Sequence, residues 1–476
     1  MTGIGITLRD GLHATRDGLW NAVNLDTHRI AVTGLSRAGK TVFLVSLISN
    51  LLALGHGVAG TRLNTLPKLA QLLEGSAGEG SRLLDVEIEN AGTQDFPLFD
   101  YEGLRDQLAK GAEATWPPVT DRPAMITLRL TLRRASRWKR AAGDHVVRLE
   151  LLDYPGEWLM DLPLLEQSYE AWSAEVLADL AKPPRSDFAS EFLAFLRTLQ
   201  SSAPASDKVA LHGFRLYRDA MLRARQEAGL RWLQPGRFLM PGPEGEIPLM
   251  HFFPWTDAPS PARGTLGAQL RDRFDAYKGW VRASFFEKHF SRFTRQVVLV
   301  DVLGALFAGR TAFEDTTRAL RSIGESYARR LEGGMFTGNK IEAVAFAATK
   351  SDHVDDLQRD NLRGLLRHYV EAEKVPKRDR ATYHAVAAVN CTTDTDVTDA
   401  EGRKHRAVMG LPLGQTRTRP FQAGYVPAGE VQAAYWSNAY FAMPQLAPPE
   451  FPGGDAHPIA HLNLDAVLVE LLKDVL

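Results

Sequence analysis

The sequence predicts an α/β fold: a mainly parallel sheet flanked by helices, with a large inserted helical domain. Three observations predict it. Gly34-Leu35-Ser36-Arg37-Ala38-Gly39-Lys40-Thr41 matches G-x-x-x-x-G-K-[ST] and stands between an apolar run and a helical one, which is a P-loop NTPase arrangement. Short apolar runs alternate with amphipathic stretches, as parallel strands joined by helices require. Residues 158–295 interrupt that alternation with helical runs such as EFLAFLRTL and ALHGFRLYRDAMLRAR.

The elements follow in order. The segment up to about residue 25 is expected to be helical. RIAVTG (29–34) is a short apolar run ending in glycine and reads as a buried strand. Val42, Val45, Leu47, Ile48, Leu51 and Leu52 predict a helix over 41–54 with a broad apolar face. WPPVTDRP (116–123) is expected as extended loop. Strict alternation in ITLRLTL (126–132) predicts a half-exposed strand, and VVRLELLD (146–153) a neighbour that ends in a carboxylate. Further strands are expected at 296–303, 341–349 and 383–391, with helices at 313–329 and 355–372. The stretch 392–461 is rich in glycine and proline and carries no clear periodicity. An amphipathic helix over 465–476 closes the chain. These elements divide the sequence into 1–157 and 296–476, two parts of a nucleotide-binding domain, around the inserted domain 158–295.

Composition bounds the function classes. The chain has 476 residues, 45% apolar and 24% charged, which is ordinary for a globular protein. A formal net charge of −1 argues against wholesale binding of nucleic acid or of an anionic membrane. Cys391 is the single cysteine, so no disulfide within the chain is possible, and a reducing cytoplasm suits it. The N-terminus carries charges throughout and does not read as a signal peptide. No apolar run is long enough for a transmembrane helix, so any membrane contact is expected to be peripheral.

The P-loop spacing has a physical reason. Successive backbone N–H groups at Ser36, Arg37, Ala38 and Gly39 turn into one concavity and cradle phosphates, and Gly34 and Gly39 permit the turn. The helix beginning near Thr41 and Val42 adds its positive end. Lys40 is expected on the β- and γ-phosphates, and the Thr41 hydroxyl on Mg²⁺. Asp153-Tyr154-Pro155-Gly156 ends a strand with Asp-x-x-Gly. A carboxylate there is an outer-shell partner for Mg²⁺, and the Gly156 N–H can approach the γ-phosphate. Asp301-x-x-Gly304 is a second Asp-x-x-Gly after an apolar strand. Asp153 is preferred for its order in the chain, and Asp301 reads as a core-edge carboxylate.

Thr349-Lys350-Ser351-Asp352 matches [NT]-K-x-D. One carboxylate can accept from both N1–H and N2–H of guanine, a donor pair that adenine lacks, while the Lys350 stem lies along the base. The competing reading is a strand-to-helix loop in which Asp352 or Asp355 caps a helix. The next strand ends at Cys391-Thr392, where a backbone N–H can meet guanine O6. Cys391 equally suits a small buried apolar position.

Taken together, THRIAVTGLSRAGKT, WPPVT, LLDYPGEWLMDLP, RQVVLVDVLGAL and the closing HLNLDAVLVELLKDVL resemble the YcjX-like family of bacterial P-loop proteins over nearly the full length. The resemblance implies a GTPase-like fold with a helical insert after the Asp153 segment. It also implies a part in envelope stress of the phage-shock type, beside an inner-membrane partner protein. Many small GTPases have glutamine directly after Asp-x-x-Gly. Here Glu157 stands there, and a carboxylate accepts from water but donates nothing to the γ-phosphate. Arg37 occupies a place similar to that of the P-loop arginine in guanylate-binding proteins, which acts as an arginine finger in cis. Its other reading is a solvent-facing arginine. Thr120 is the candidate for the threonine that closes on Mg²⁺ and the γ-phosphate, with Thr115 as runner-up. The function classes left open are a GTPase switch, an ATP-dependent enzyme on the same P-loop, and a nucleotide-binding scaffold with little turnover.

Overall fold

The computed structural model describes residues 25–56, 65–75, 80–89, 96–118, 122–134, 143–256, 262–287, 289–332, 341–371, 380–437, 442–452 and 457–476. The helix expected before residue 25 and the candidate Thr120 lie outside the described residues.

Among the described residues the main sheet has seven strands in the order β2-β3-β4-β1-β5-β6-β7. They are β1 (Leu25–Gly34), β2 (Leu83–Glu89), β3 (Ala124–Leu132), β4 (His145–Asp153), β5 (Arg295–Val300), β6 (Ala343–Ala348) and β7 (Ala381–Ala385). β3 runs antiparallel to β2 and β4, and the β4-β1-β5-β6-β7 pairs are parallel. β1 therefore lies at the centre, flanked by strands that precede and follow the helical region. Its C-terminal end is the place where such sheets bind ligands.

Two apolar layers cover this sheet, and strand alternation sorts residues between them. Val32, Leu149 and Val297 face α1 (Lys40–His56), which contributes Phe43, Leu47 and Leu51 to one core. The opposite layer takes Ala31, Leu152 and Val298. It is built by α2 (Tyr169–Leu180), α3 (Asp207–Glu227), α4 (Leu266–Val281), α5 (Val302–Ala308), α6 (Arg310–Glu332) and α7 (Asp356–Val370). The closing helix α8 (Leu464–Leu472) joins the α1 layer through Val467 and Leu468. Ser168, Ser206 and Thr265 start α2, α3 and α4 by accepting the N–H of Ala171, Val209 and Ala268. The core between β4 and β5 is aromatic, with Trp172 stacked on Phe274 at 5.1 Å, and it is continuous with the sheet face.

Two strand ends differ from expectation, and one unassigned stretch gains a sheet. The strand expected over 296–303 stops at Val300, because Asp301 accepts the Gly304 N–H at 2.8 Å and starts α5. The strand expected over 383–391 ends at Ala385, and Ala387 then bridges Leu462. Within 392–461 lies a small antiparallel sheet of β8 (Thr392–Thr398), β9 (Lys404–Gly410) and β10 (Arg419–Phe421). No helix among the described residues is long and apolar enough to cross a membrane.

Candidate functional site

β1 delivers Gly34 to the sheet edge, and Lys40 opens α1 one turn of loop later. In between, Arg37 (φ 65°) and Gly39 (φ 78°) take left-handed backbone, which folds the loop back on itself. The Leu35 N–H donates to the Leu299 carbonyl and the Ala38 N–H to the Leu35 carbonyl, at 3.2 and 3.1 Å. Phe43 is the first residue of α1 to bond back into the loop, to Gly39 at 2.9 Å. The N–H groups of Lys40, Thr41 and Val42 thus form the helix's donor end. The Lys40 ammonium is buried and donates to the Gly34 carbonyl at 3.2 Å, across the mouth of the loop. The Ser36 side of the loop is buried, while Arg37 is exposed.

In the β1–β4 register Val32 stands beside Asp153, so both strands end together. The Thr41 hydroxyl donates to the buried Asp153 carboxylate at 3.3 Å. A hydroxyl beside a carboxylate at a phosphate loop is an oxygen donor set of the kind Mg²⁺ takes, alongside water and phosphate oxygens. Gly156 follows, pressed on the Gly34 carbonyl, and begins a short 3-10 turn (Gly156–Met160). Glu157 is buried, and Arg225 of α3 donates to it at 3.2 Å.

That turn is welded to the helical region. Trp158 donates to the Met240 carbonyl at 2.7 Å, and the Arg237 guanidinium lies 3.4 Å over the Trp158 ring. Asp161 accepts the N–H of Gly236 at 2.8 Å and of Arg237 at 3.2 Å. Burial pushes the Asp161 pKa up to about 7, against the pull of the Arg237 guanidinium and the Gly236 N–H.

The second loop of interest follows β6. Thr349 is buried and donates through its N–H to the Val300 carbonyl at 2.9 Å. Lys350 takes left-handed backbone (φ 59°) and its ammonium pairs with Asp301. Asp301 is therefore a helix cap and the lysine's counter-charge. Asp355 caps α7 by accepting the Leu357 N–H at 3.1 Å, so the cap is not Asp352. Asp352 is buried and accepts the Cys391 N–H at 3.0 Å, with His353 Nδ1 at 3.3 Å. Burial opposes its charge, but the His353 hydrogen bond and charge and the Cys391 N–H hold its pKa below the ordinary aspartate value. The Thr392 hydroxyl donates to the Asp352 carbonyl at 2.6 Å. The Cys391 N–H thus braces the Asp352 carboxylate, and the Thr392 hydroxyl braces the Asp352 backbone carbonyl. His353 also meets the Pro444 carbonyl at 3.2 Å, which ties the glycine- and proline-rich stretch to this loop.

Thr115, the runner-up to Thr120, is exposed and accepts from Gln107 at 2.6 Å. Sequence reasoning missed Arg225, Arg231 and His353. Arg225 looks like an ordinary helix-surface arginine and Arg231 like a loop arginine, and only the position of His353, directly after Asp352, was a usable signal.

A phosphate loop on β1, a carboxylate at the end of β4 and a braced carboxylate after β6 define a P-loop nucleotide-binding protein of the GTPase-like fold. The profile of the YcjX-like family, DUF463, matches residues 28–476, and the chain belongs to that family. It is 32% identical over 471 residues to the Ras-like GTPase YcjX of Escherichia coli, covering 95% of this chain and 97% of the relative. It is 31% identical over 480 residues to the Ras-like GTPase YcjX of Shewanella oneidensis, covering 95% of each.

Proposed function

We propose that this protein binds GTP and GDP with Mg²⁺ and hydrolyses GTP to GDP as a conformational switch. The observation that carries the reading is the meeting, at one sheet edge, of Lys40 and Thr41, Asp153, and the braced Asp352. The relatives' description as Ras-like GTPases supports it. In this reading the amides of 36–42 and Lys40 hold the phosphates, Thr349, Lys350 and Asp352 read the base, and the loop at Cys391 and Thr392 closes the base pocket. Thr41, Asp153 and Thr120 would hold Mg²⁺, which supplies charge neutralisation between the β- and γ-phosphates. Arg37 would reach the β–γ bridge. Gly156 and Glu157 would sense the terminal phosphate.

The switch has a route outward. A shift of 156–161 on loss of the γ-phosphate must be taken up by 236–240, because Asp161 and Trp158 are bonded there. The division into a nucleotide-binding unit (1–157 and 296–476) and a helical insert (158–295) belongs to this proposal. So does a role in envelope stress with an inner-membrane partner, for which the family resemblance is the support. The Glu157–Arg225 pair favours a second reading, a nucleotide-binding scaffold with little turnover, because it occupies the residue that would orient water.

Competition of GTP, GDP, ATP and ADP against a fluorescent guanine nucleotide in Mg²⁺, followed by a phosphate-release assay, tests both. Guanine preference with turnover is the expected result. Tight binding without turnover favours the scaffold, and equal competition by adenine nucleotides favours an ATPase.

A further inference from the structure

α3 ends in the helical region at Glu227, and Gly229 (φ 69°) reverses the chain. Arg231 comes two residues later. Its backbone is not left to a loose loop: the buried Asp315 carboxylate of α6 accepts the N–H of Arg231 and, at 2.8 Å, that of Trp232. Arg185 neutralises the same carboxylate. The Arg231 Cα is thereby fixed to a helix packed on the sheet, as a catalytic group must be.

The guanidinium is partly buried and lines a small cleft with Ser36, Glu157, Met160, Arg225 and Leu230. Ser36 is the outer shoulder of the phosphate loop, and Glu157 follows the glycine that rests on that loop. Among the described residues, no carboxylate stands within ion-pair distance of Arg231, whose side chain donates to the Leu230 carbonyl at 3.2 Å. Glu157 and Asp301 attract it from further off, and Arg37 and Arg225 repel it. A cation partly withdrawn from water without an adjacent counter-ion carries a desolvation cost. An anion entering between Ser36 and Glu157 removes that cost. In the GTPase reading the γ-phosphate of a nucleotide seated on 34–41 meets Lys40 and the Gly156 N–H, and Ser36 of that loop and Glu157, next to Gly156, share the cleft with Arg231.

We infer that Arg231 is an arginine supplied in cis by the helical region to the γ-phosphoryl oxygens of bound GTP, and that it is a catalytic residue for hydrolysis. The inference rests on the GTPase reading above. In the step concerned, water oxygen bonds to the γ-phosphorus while the bond from phosphorus to the β–γ bridging oxygen breaks. GDP leaves with that electron pair, and the water proton passes to the phosphate product. The charge gathered on the equatorial oxygens is what a planar, two-pronged cation stabilises. Arg37, on the exposed side of the loop, acts at the bridge. The two arginines divide the charge between them.

The test is single-turnover hydrolysis of GTP in Mg²⁺ by full-length wild type, Arg231→Ala, Arg231→Lys and Arg37→Ala. Affinities for GTP and GDP, and retention of GDP by aluminium fluoride, are measured on the same samples. Arg231→Ala is expected to slow hydrolysis about 1,000-fold, within the range an arginine finger supplies. GTP and GDP affinities should change only a few-fold, and aluminium fluoride should no longer trap GDP. Arg231→Lys keeps the charge without the fork and should recover little. If the alanine variant proves unstable, the lysine variant carries the same test. Hydrolysis by Arg231→Ala or Arg231→Lys within threefold of an active wild type overturns this inference and leaves the GTPase reading standing. A wild type that binds guanine nucleotides but never turns them over overturns both.

Discussion

Gly156 rests on the carbonyl oxygen of Gly34 so closely that a Cβ at 156 would stand 1.7 Å from it. Gly34 in turn has no room for a side chain, since a Cβ there would lie 2.2 Å from the Leu299 carbonyl oxygen. The phosphate loop and the segment after β4 are thus stacked backbone on backbone. Gly156→Ala must push the two apart, and overpacking of this kind costs about 1–3 kcal/mol. Urea unfolding should show that loss, and nucleotide affinity should fall with it. A variant of unchanged stability and affinity would mean that the contact relaxes without consequence.

In the GTPase reading Asp352 accepts from two donors of a base edge, and the Cys391 N–H and His353 hold its carboxyl below the ordinary aspartate range. Asp352→Asn turns one acceptor into a donor. Guanine N1–H and N2–H then face a mismatched amide, and xanthine, with oxygen in place of the N2 amine, matches it better. GTP affinity is expected to fall by at least about 100-fold relative to xanthosine triphosphate, since sites built on buried hydrogen bonds discriminate strongly. Equilibrium competition measures the ratio, and an unaltered ratio removes Asp352 from the base pocket.

The phosphate loop was legible because its chemistry is local: the glycines, lysine and threonine lie within eight consecutive residues. β3 and β4 were legible because alternation records one buried face. β8 was not, because TTDTDVT has no apolar face. Its support comes from pairing with β9, where Arg406 stands opposite Asp396 at 3.1 Å, and from Arg359 of α7, which reaches Asp394 at 2.9 Å. The overrun of β5 has a similar cause: apolar residues continue through Val302 and Leu303, and only the Asp301 side chain marks where the strand becomes a helix. Arg225 and Arg231 escaped notice for a third reason. An arginine on an amphipathic helix, as Arg225 is, or in the loop beyond it, as Arg231 is, reads as solvated until the fold shows what it faces.

Arg225 and Glu157 join the helical region to the segment after β4, with both side chains largely out of water. Removing Glu157 alone strands the arginine, so Glu157→Ala should cost about 1–3 kcal/mol. Arg225→Ala should cost a similar amount, and the double variant less than the sum. A coupling energy of about 1–2 kcal/mol from a double-mutant cycle in urea is the expected outcome. Additive single effects would show that the pair is screened and binds nothing together. Glu157→Gln keeps an acceptor for Arg225 but not the charge, and should fall between wild type and alanine.

Asp161 gives the fold a pH dependence of defined sign. Its folded value of about 7 lies above the unfolded 3.8, so between those values the native chain holds a proton that the unfolded chain has released. Its contribution is fully present below the unfolded value and is lost as pH rises through about 7. The slope is at most about 1.4 kcal/mol per pH unit. Asp161→Asn is neutral at every pH and removes this term. It also sets an amide donor against one of the two N–H groups that Asp161 accepts from Gly236 and Arg237, so its absolute stability falls. The comparison is therefore of slopes: from pH 5 to 7 wild type should lose stability relative to Asp161→Asn. Parallel curves would mean that the carboxylate stays ionised beside Arg237 throughout, with the guanidinium outweighing burial.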